Sequence, residues 1–411
     1  MSGEHGWEGA VPGRPSRLPW VLLVLVVAGG VVLIGRLGGG GGSLVVQEAP
    51  TATTSAIVSP APAARPTGLV GRWQHMPPSP LAAREGPASA WTGRELIIWG
   101  GARYEGLGTT SVSVPYADGA AYDPETGRWR ALAPAPLEAR AGAAAVWTGR
   151  ELLVVGGFTS EPITAATDGA AYDPVEDSWR PIAPLPQPGE PAGAVWTGRE
   201  LVLVVADVSD QYEIVEPLGY RWLAFDPTAN RWRDLPRPPA PTGVPIRTCA
   251  TTSGVVLVQQ DTLGHHTVRR LDPSGDGWHE LPSLRLLGDL RALFTCSDTA
   301  LLAVTSGGRG DRALAMDVAD RAWRHLPTLP DGGGETRPSH AVWTGGQWLV
   351  TGSGPGALYT PTGRIWQQIR SFERGLRSGA TVAWTGRELL LWGGADNGSL
   401  RADGLVLRLE G

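Results

Sequence analysis

The chain contains no lysine, so all 35 of its basic residues are arginines. Its 40 acidic residues outnumber them and the net charge is −5. This balance excludes a body built to bind nucleic acid, which needs a basic surface. Cysteine is nearly absent, with 2 residues among 411, and neither follows the apolar N-terminal segment, which excludes a lipid-anchored lipoprotein. The sequence also lacks a recognisable catalytic constellation, so function has to be argued from architecture.

One motif recurs along the chain. A copy contains Trp-Thr-Gly-Arg-Glu-Leu, an apolar run, a glycine pair, Tyr-Asp-Pro and a final tryptophan, as in residues 147–157 followed by 168–179. The final tryptophans are spaced by 43 to 56 residues and are Trp73, Trp129, Trp179, Trp232, Trp278, Trp323 and Trp366. The opening hairpins form a second series, at Trp91, Trp147, Trp196, Trp343 and Trp384, with degenerate copies at 251–254 and 297–300. This period predicts a propeller of seven blades.

Each copy predicts four short strands. Gly149 permits the positive φ of a tight hairpin between the first two strands. A glycine pair that includes Gly156 then allows a neighbouring backbone to approach closely. The third strand should end at Asp173 because the proline that follows cannot donate to a ladder. On the fourth strand, we expect the large ring of Trp179 to fill the space between two blades.

The two ends of the repeat region complement each other. Trp73 has no hairpin before it, and the last hairpin, at 384–394, is followed by a single strand. We therefore expect the strand near 69–76 to complete the last blade, which removes exposed edge strands. The predicted fold is all-β, a seven-bladed β-propeller over residues 69–411.

These motifs resemble the kelch repeat, specifically bacterial kelch or galactose-oxidase-like propellers. The resemblance rests on the glycine pair, on Tyr122-Asp123-Pro124-Glu125-Thr126 with Trp129, and on their echoes around Trp179 and Trp232. It covers the chain from residue 69 to the C-terminus and implies a kelch-type propeller closed by an N-terminal strand. The fourth and fifth copies depart from the family pattern because they lack the Trp-Thr-Gly hairpin. Kelch propellers include binders, scaffolds and enzymes, so the fold does not settle the function.

The first 68 residues are of a different kind. Residues 1–17 predict a short cytoplasmic N-terminus, and residues 18–35 contain an uncharged apolar run between Arg17 and Arg36 that predicts a transmembrane signal-anchor helix. Residues 36–68, rich in Gly, Thr, Ala and Pro, predict a flexible linker. A cleaved signal peptide is the alternative. Either interpretation places the propeller outside the cytoplasm, on the cell membrane or secreted.

The two cysteines lie just before the degenerate hairpins of neighbouring copies. Cys249 and Cys296 are 47 residues apart, about one blade. Equivalent positions in adjacent blades are neighbours near the propeller axis, so we expect a disulfide, which suits an oxidising compartment. Two buried free thiols are the alternative.

An arginine precedes most of the opening hairpins. Arg84, Arg140, Arg337 and Arg377 lie six or seven residues before a hairpin tryptophan, Arg247 and Arg291 lie just before the cysteines, and the third copy has Glu190 instead. Since this segment enters the innermost strand, these side chains, with His340, predict a ring at one mouth of the central channel. Guanidinium groups there suit a carboxylate or phosphate ligand. The alternative is that each arginine fixes its own loop.

The enzyme interpretation has less support. Copper radical oxidases on a similar fold need a tyrosine cross-linked to a cysteine, and both cysteines here are assigned to a disulfide. His265 and His266 lie in a predicted loop, and we predict neither a metal nor a cofactor. Because His340 lies beside Arg337, a sugar-acid epimerase-like or oxidase-like activity at the channel mouth is the alternative.

We therefore expect a monomeric, membrane-anchored, extracytoplasmic binding module for a protein or an acidic carbohydrate, without nucleic-acid binding. Three longer loops, at 103–117, 158–167 and 207–219, are where specificity for a partner is expected. A carbohydrate-active enzyme and a scaffold that binds no ligand are the alternatives.

Overall fold

The chain forms a ring of four-stranded antiparallel sheets. The computed structural model describes residues 69–105, 112–160, 164–207, 219–240, 243–261, 263–285, 291–306, 312–330, 338–352, 356–370, 377–396 and 398–410, and nearer the N-terminus 26–27 and 30–31. Each four-stranded sheet is one blade, except that blades 6 and 7 are joined into one eight-stranded sheet, in which Ile369 and Arg370 pair in parallel with Leu69 and Val70. In blades 1 to 6 the order of the four strands follows the order of the chain. The first strand of each blade contacts the first strand of the next, all around the ring. These first strands therefore surround the central channel, as the seven sequence copies predict.

The first three blades follow the repeat closely. The strands of blade 1 are Ala88–Trp91, Leu96–Trp99, Gly119–Asp123 and Arg128–Ala131. Those of blade 2 are Ala144–Trp147, Leu152–Val155, Gly169–Asp173 and Ser178–Ile182. Those of blade 3 are Glu190–Trp196, Leu201–Ala206, Tyr220–Asp226 and Arg231–Asp234.

The remaining four blades complete the ring. Blade 4 contains Val244–Thr251, Gly254–Gln260, His265–Leu271 and Trp278–Arg285, and blade 5 contains Arg291–Cys296, Ala300–Ser306, Arg312–Asp317 and Ala322–His325. Blade 6 contains Pro338–Trp343, Trp348–Gly352, Gly356–Thr360 and Ile365–Arg370. Blade 7 contains Thr381–Trp384, Glu388–Trp392, Gly404–Glu410 and Leu69–His75.

The last blade is closed by the first strand of the propeller. Leu69–His75 pairs antiparallel with Gly404–Glu410, from Val70 opposite Glu410 to His75 opposite Leu405. This pairing confirms the closure predicted from the unmatched ends of the repeat. It joins the two ends of the propeller, and the edge of Gly404–Glu410 does not remain open.

Apolar second strands form the packing surface of each blade. Leu96–Trp99 and Leu152–Val155 are buried along their whole length because other blades cover both faces of the sheet. Their side chains alternate between two cores, so Leu153 packs toward blade 3 while Leu152 packs toward blade 1. Burial on both faces explains the continuous apolar runs in the sequence, where a half-exposed strand would alternate with polar residues.

In blades 1 to 6 the tryptophan of the fourth strand bonds to the blade before it. The indole N–H of Trp179 donates to the Ala133 carbonyl at 2.9 Å. That of Trp129 in blade 1 donates at 3.0 Å to the carbonyl of Pro77, which follows the last strand of blade 7. The same bond is made by Trp232, Trp278, Trp323 and Trp366. Each ring thus fills space between blades, as expected, and also satisfies a carbonyl that the sheets leave unpaired.

The ring has two faces, which differ in the loops that they carry. The tip face carries the hairpins between the first and second strands, where the side chains of Arg94 and Arg150 are 77% and 82% exposed. The entry face is the opposite side, on which the first strands begin. On it a short hairpin, Ala102–Glu105 with Val112–Pro115, extends blade 1, and Ala395–Asp396 with Ser399–Leu400 extends blade 7.

The predicted N-terminal helix is not supported. Residues of the 18–35 segment that the structure describes, Val26–Val27 and Gly30–Val31, pair as a two-residue antiparallel ladder. The rest of that segment, the cytoplasmic N-terminus and the linker to residue 68 lie outside the described residues. In the described part of the chain there is no helix with the length and apolar character that crossing a bilayer requires.

Candidate functional site

Three of the predicted arginines are buried clamps on the entry face. Arg84 and Arg140 are 0% and 1% exposed. Arg84 forms two bonds to the Asp118 carboxylate, at 2.7 and 3.1 Å, and donates to the Gly100 and Ala82 carbonyls. Arg140 repeats the arrangement in blade 2, with Asp168 at 2.6 and 3.1 Å. In blade 7, Arg377 bonds to Asp403 at 2.8 Å.

The clamps hold the glycine pairs against the next blade. The N–H of Gly101 in blade 1 donates to the carbonyl of Arg140 in blade 2 at 3.0 Å, and Gly394 in blade 7 donates to Arg84 in blade 1 at 2.9 Å. A Cβ at Gly100 would lie 2.8 Å from the Arg140 oxygen. The arginines of blades 7, 1 and 2 therefore fix a close backbone contact, and their donors are already engaged.

Blade 3 has a different ion pair in this region, with the arginine on the third strand. Arg221, on the third strand, takes the place that Asp168 has in blade 2 and pairs with Asp207 at 2.7 Å. Its other donors reach the carbonyls of Gln187 and Pro188. Sequence reasoning missed this clamp, although Asp207 just after the second strand and Arg221 in the third were a usable signal.

Blade 4 replaces the clamp by a relay. Arg269 is 2% exposed and donates to the Gln259 side-chain oxygen at 2.7 Å, and the Gln259 amide donates to the Gly243 carbonyl at 2.8 Å. This pair was also missed, because neither residue type marks the position in the other copies. In each of blades 1 to 4, a long polar side chain near the entry face hydrogen-bonds the loop that leads into the first strand.

Arg247 differs from the clamped arginines. It lies on the first strand of blade 4, its side chain is exposed, and it has no hydrogen-bond or ion-pair partner in the described part of the chain. An exposed side chain on the innermost strand faces the central channel. Surrounding protein nevertheless displaces enough water that desolvation lowers the pKa of this guanidinium.

Two further titratable groups lie on first strands. His340, in blade 6, is half-buried, and burial lowers the pKa of its imidazole to about 4, so it is neutral at physiological pH. The Ser339 hydroxyl lies 2.8 Å from its Nδ1. Glu190, in blade 3, is half-buried, and burial raises the pKa of its carboxyl to about 7. Among the described residues, no charged neighbour contributes to the pKa of either group.

The same local irregularity precedes Arg247 and His340 and follows Glu190. The ladder between the first two strands has a β-bulge at Pro191/Gly193 in blade 3, at Pro245/Arg247 in blade 4 and at Pro338/His340 in blade 6. Proline lacks an N–H, so it interrupts the ladder, and a bulge turns the next side chains to a new direction. Gly193, Arg247 and His340 therefore occupy equivalent positions around the channel.

Two other predicted site residues, Arg291 and Arg337, lie partly or wholly outside the described part of the chain. Arg291 begins the first strand of blade 5, but its side chain lies outside the described part, as does the whole of Arg337. Arg84, Arg140 and Arg377 form a group in adjacent blades, separate from Arg247 and His340. The predicted ring is thus divided into clamped arginines and open channel residues, and ligand binding by any of them stays a prediction.

The predicted disulfide is present. Cys249 and Cys296 are bonded, with their Cα atoms 6.2 Å apart, and they join the first strands of blades 4 and 5. Arg247 is two residues from this bond, so its strand is covalently fixed to the neighbouring blade. The bond supports two blades whose hairpins depart from the repeat.

The two adjacent histidines have different surroundings. His265 lies 3.1 Å from the Asp261 carboxylate, and His266 is buried against the ring of Phe294. They lie on the third strand of blade 4, where a loop was expected. The described residues contain no group of three or more potential ligands that would hold a metal ion.

The hairpin that extends blade 1 adds a polar cluster to the entry face. Tyr104 on the hairpin is 40% exposed and hydrogen-bonds the buried carboxyl of Glu85, and burial raises the pKa of Tyr104 to about 12. Tyr116 covers the Arg84 guanidinium, which lies 4.0 Å from the ring centre. The expected loop at 103–117 is therefore partly an ordered hairpin tied to the first clamp.

Comparison with known proteins agrees with this geometry. Residues 139–186, which comprise the clamp, hairpin and outer tryptophan of blade 2, match the family model described as the Kelch motif. No curated protein matches the chain significantly. Propellers built from this motif typically bind proteins. The matched repeat and the seven-bladed ring together support a kelch-repeat β-propeller.

Proposed function

We propose that this propeller is an extracytoplasmic recognition module, tethered to the cell membrane, that binds an acidic group of a protein partner through its central channel. The observation that carries the proposal is Arg247, an exposed guanidinium on the innermost strand that has no hydrogen-bond or ion-pair partner among the described residues. A positive charge that is partly desolvated and unpaired favours an incoming anion. An acidic carbohydrate is the alternative ligand, since it offers Arg247 the same carboxylate.

The clamped arginines support this role indirectly. Arg84, Arg140 and Arg377 use their donors on aspartates and carbonyls, so a ligand at these groups would have to break buried bonds. Their contribution in the proposal is to hold the entry face rigid. The exposed Tyr104 of the blade 1 hairpin then supplies an aromatic contact for a protein partner beside the channel mouth.

The test is binding of the purified chain to a panel of acidic peptides and acidic glycans, at low and high salt. We expect binding that weakens with salt and falls at least 10-fold in Arg247→Ala. Arg150→Ala is the matched control, because it removes the same charge from an 82% exposed side chain on the opposite face. Equal loss in both variants, or binding unchanged by Arg247→Ala, would overturn the proposal.

The tether belongs to the proposal and is supported by the sequence alone. The apolar run between Arg17 and Arg36 is long enough for a signal-anchor, and the following linker would hold a monomeric propeller away from the bilayer. Recovery of the protein in the membrane fraction, with the propeller accessible to protease outside the cell, is expected. A protein released to the medium without residues 1–35 would instead indicate a cleaved signal peptide.

The enzyme alternative has one observation in its favour. Glu190 and His340 both have shifted pKa values and lie on first strands around the channel that contains Arg247. Such groups are candidates for acid–base catalysis on a sugar acid bound by the arginine. Turnover of a bound sugar acid that is lost in Glu190→Gln would favour the enzyme, whereas binding without turnover favours recognition.

A further inference from the structure

Three blades have equivalent positions on their first strands, at one height along the channel. Counted from the pairs Trp196–Leu201, Ala250–Val255 and Trp343–Trp348, the fourth pair contains Gly193, Arg247 and His340, respectively. These three positions therefore lie at one level, directly after the three bulges. Gly193 is the smallest member, and a Cβ there would lie 2.6 Å from the Thr248 hydroxyl of the adjoining strand.

Glu190 lies two ladder steps beyond this level, toward the entry face. It pairs with Ala206, whereas Gly193 pairs with Val204. At roughly 3.4 Å per residue, this places the Glu190 backbone about 7 Å along the strand from the Arg247 level. The first strands of blades 3 and 4 are in contact, so both residues lie on one stretch of the channel wall.

The two charges do not neutralise each other. Neither residue has an ion-pair partner in the described part of the chain, and neither pKa contains a contribution from the other group. Arg221 and Asp207, also in blade 3, are already paired with each other at 2.7 Å. A partly desolvated cation and a partly desolvated carboxyl thus remain separate on adjoining strands.

We infer that the central channel, at the level of the three bulges, binds a small molecule that carries both a carboxylate and an ammonium group, such as an ω-amino acid. Its carboxylate pairs with Arg247 and its ammonium group with Glu190. His340 is uncharged and offers a ring nitrogen at the Arg247 level without repelling either end. The inference rests on the proposed function for the role of Arg247, and it adds the second charge that the ligand must have.

The physical reason is the cost of unpaired charge near protein. A ligand with only a carboxylate satisfies Arg247 and leaves Glu190 desolvated, either as an unpaired anion or held protonated. A zwitterion supplies a countercharge to each group, and the separation of about 7 Å along the strand favours a chain of several carbons over glycine.

The experiment is calorimetric titration of the full chain at pH 8 with glycine, 4-aminobutyrate and 6-aminohexanoate, and with butyrate and butylamine as single-charge analogues. At this pH Glu190 is ionised, since its pKa is about 7. We expect at least one ω-amino acid to bind at least 10-fold more tightly than butyrate or butylamine. These comparisons use the unaltered protein, so they do not depend on whether a variant folds.

Variants then assign the two ends of the ligand. Arg247→Gln and Glu190→Gln should each weaken binding of the ω-amino acid at least 10-fold, while Arg150→Gln, on the tip face, should leave it unchanged. Loss of the preference over butyrate in Glu190→Gln would show that this carboxyl holds the ammonium group. Unchanged binding in Glu190→Gln would overturn the inference.

The outcomes separate this inference from the proposed function. If butyrate and the ω-amino acid bind equally and both need Arg247, the inference is wrong and acidic recognition survives. If the ω-amino acid binds through both residues but acidic peptides and glycans do not bind, the proposed function is wrong and the inference survives. If no compound binds in a manner that needs Arg247, both are wrong.

Discussion

At the scale of single residues, the arginines of this chain differ in the acceptors that surround them. Arg140 is buried because Asp168 and two backbone carbonyls accept its hydrogen bonds, whereas Arg247 is exposed and finds no acceptor among the described residues. A buried guanidinium is tolerated only when its donors are satisfied. The clamped residues therefore stabilise the fold, and the open one is available to a ligand.

The first prediction concerns the clamp of blade 2. Arg140→Ala should lower the free energy of unfolding by about 3 kcal/mol, because it removes a charge-assisted pair and leaves buried carbonyls without donors. Arg150→Ala, on an exposed side chain of equal charge, should change it by less than about 0.5 kcal/mol. Urea denaturation of both variants tests this, and equal midpoints would contradict the structural role of the clamp.

The second prediction concerns pH and Glu190. Its pKa is raised to about 7 in the folded chain from an ordinary value of 4.5, so between these values the folded state binds more protons than the unfolded state. The contribution of Glu190 to stability is therefore present at low pH and is lost as pH rises through 7. As pH rises from 4.5 to 8, the free energy of unfolding of Glu190→Gln should increase relative to that of the unaltered chain by about 2–3 kcal/mol.

Thermal melting of both proteins across this pH range measures the difference. His340, with its pKa lowered to about 4, has the opposite slope, since its neutral form is lost as pH falls toward that value. That slope is common to both proteins and cancels in the comparison. A difference that does not change with pH would contradict the burial of Glu190.

At the scale of elements, glycine has two separate uses in each blade. Gly149, at a hairpin tip, has a φ of 95° and open space around it, while Gly157, at the end of the second strand, has a φ of 93° and a neighbouring backbone close by. Gly149 is required only for its positive φ. Gly157 is required for its positive φ and also because there is no room for a side chain. Sequence indicated both, but the partner of Gly157 is visible only in three dimensions.

The third prediction compares these two glycines. A Cβ at Gly157 would lie 2.7 Å from the Ala141 carbonyl oxygen, so Gly157→Ala adds a clash to the backbone strain. Gly149→Ala has the strain alone, at nearly the same φ. We expect Gly157→Ala to be less stable than Gly149→Ala by about 1–3 kcal/mol, as measured by denaturant unfolding. Equal losses would mean that the close approach is not needed.

At the scale of the whole molecule, closure unites the two ends of the propeller. Leu69–His75 covers the edge of Gly404–Glu410, and Trp129 of blade 1 bonds to Pro77 just beyond that strand. Without this strand blade 7 would present an open edge, which invites association with other chains. The bonds of the outer tryptophans then continue the connection from blade to blade.

The fourth prediction tests closure by truncation. A variant that begins at residue 69 should remain folded and monomeric, whereas one that begins at residue 77 should aggregate or melt at a clearly lower temperature. Size-exclusion chromatography and thermal melting distinguish the two. Similar melting temperatures and elution volumes would contradict closure by this strand.

Sequence by itself determined the number of blades, the closing strand and the disulfide between Cys249 and Cys296. These features follow from the spacing of the sequence repeat, because equivalent positions in successive copies become neighbours around one axis. The outer tryptophan could be predicted for the same reason, since its place in every copy requires one packing solution.

Only the tertiary structure decided which arginines are free. Asp118 and Asp168 lie 34 and 28 residues beyond the arginines that they bind, and nothing in the local sequence pairs them. The bulges that present Arg247 and His340 depend on register between strands, which the repeat does not specify. A periodic pattern fixes which positions are equivalent, but the acceptors within reach of each side chain depend on the packed neighbours, and these differ from blade to blade.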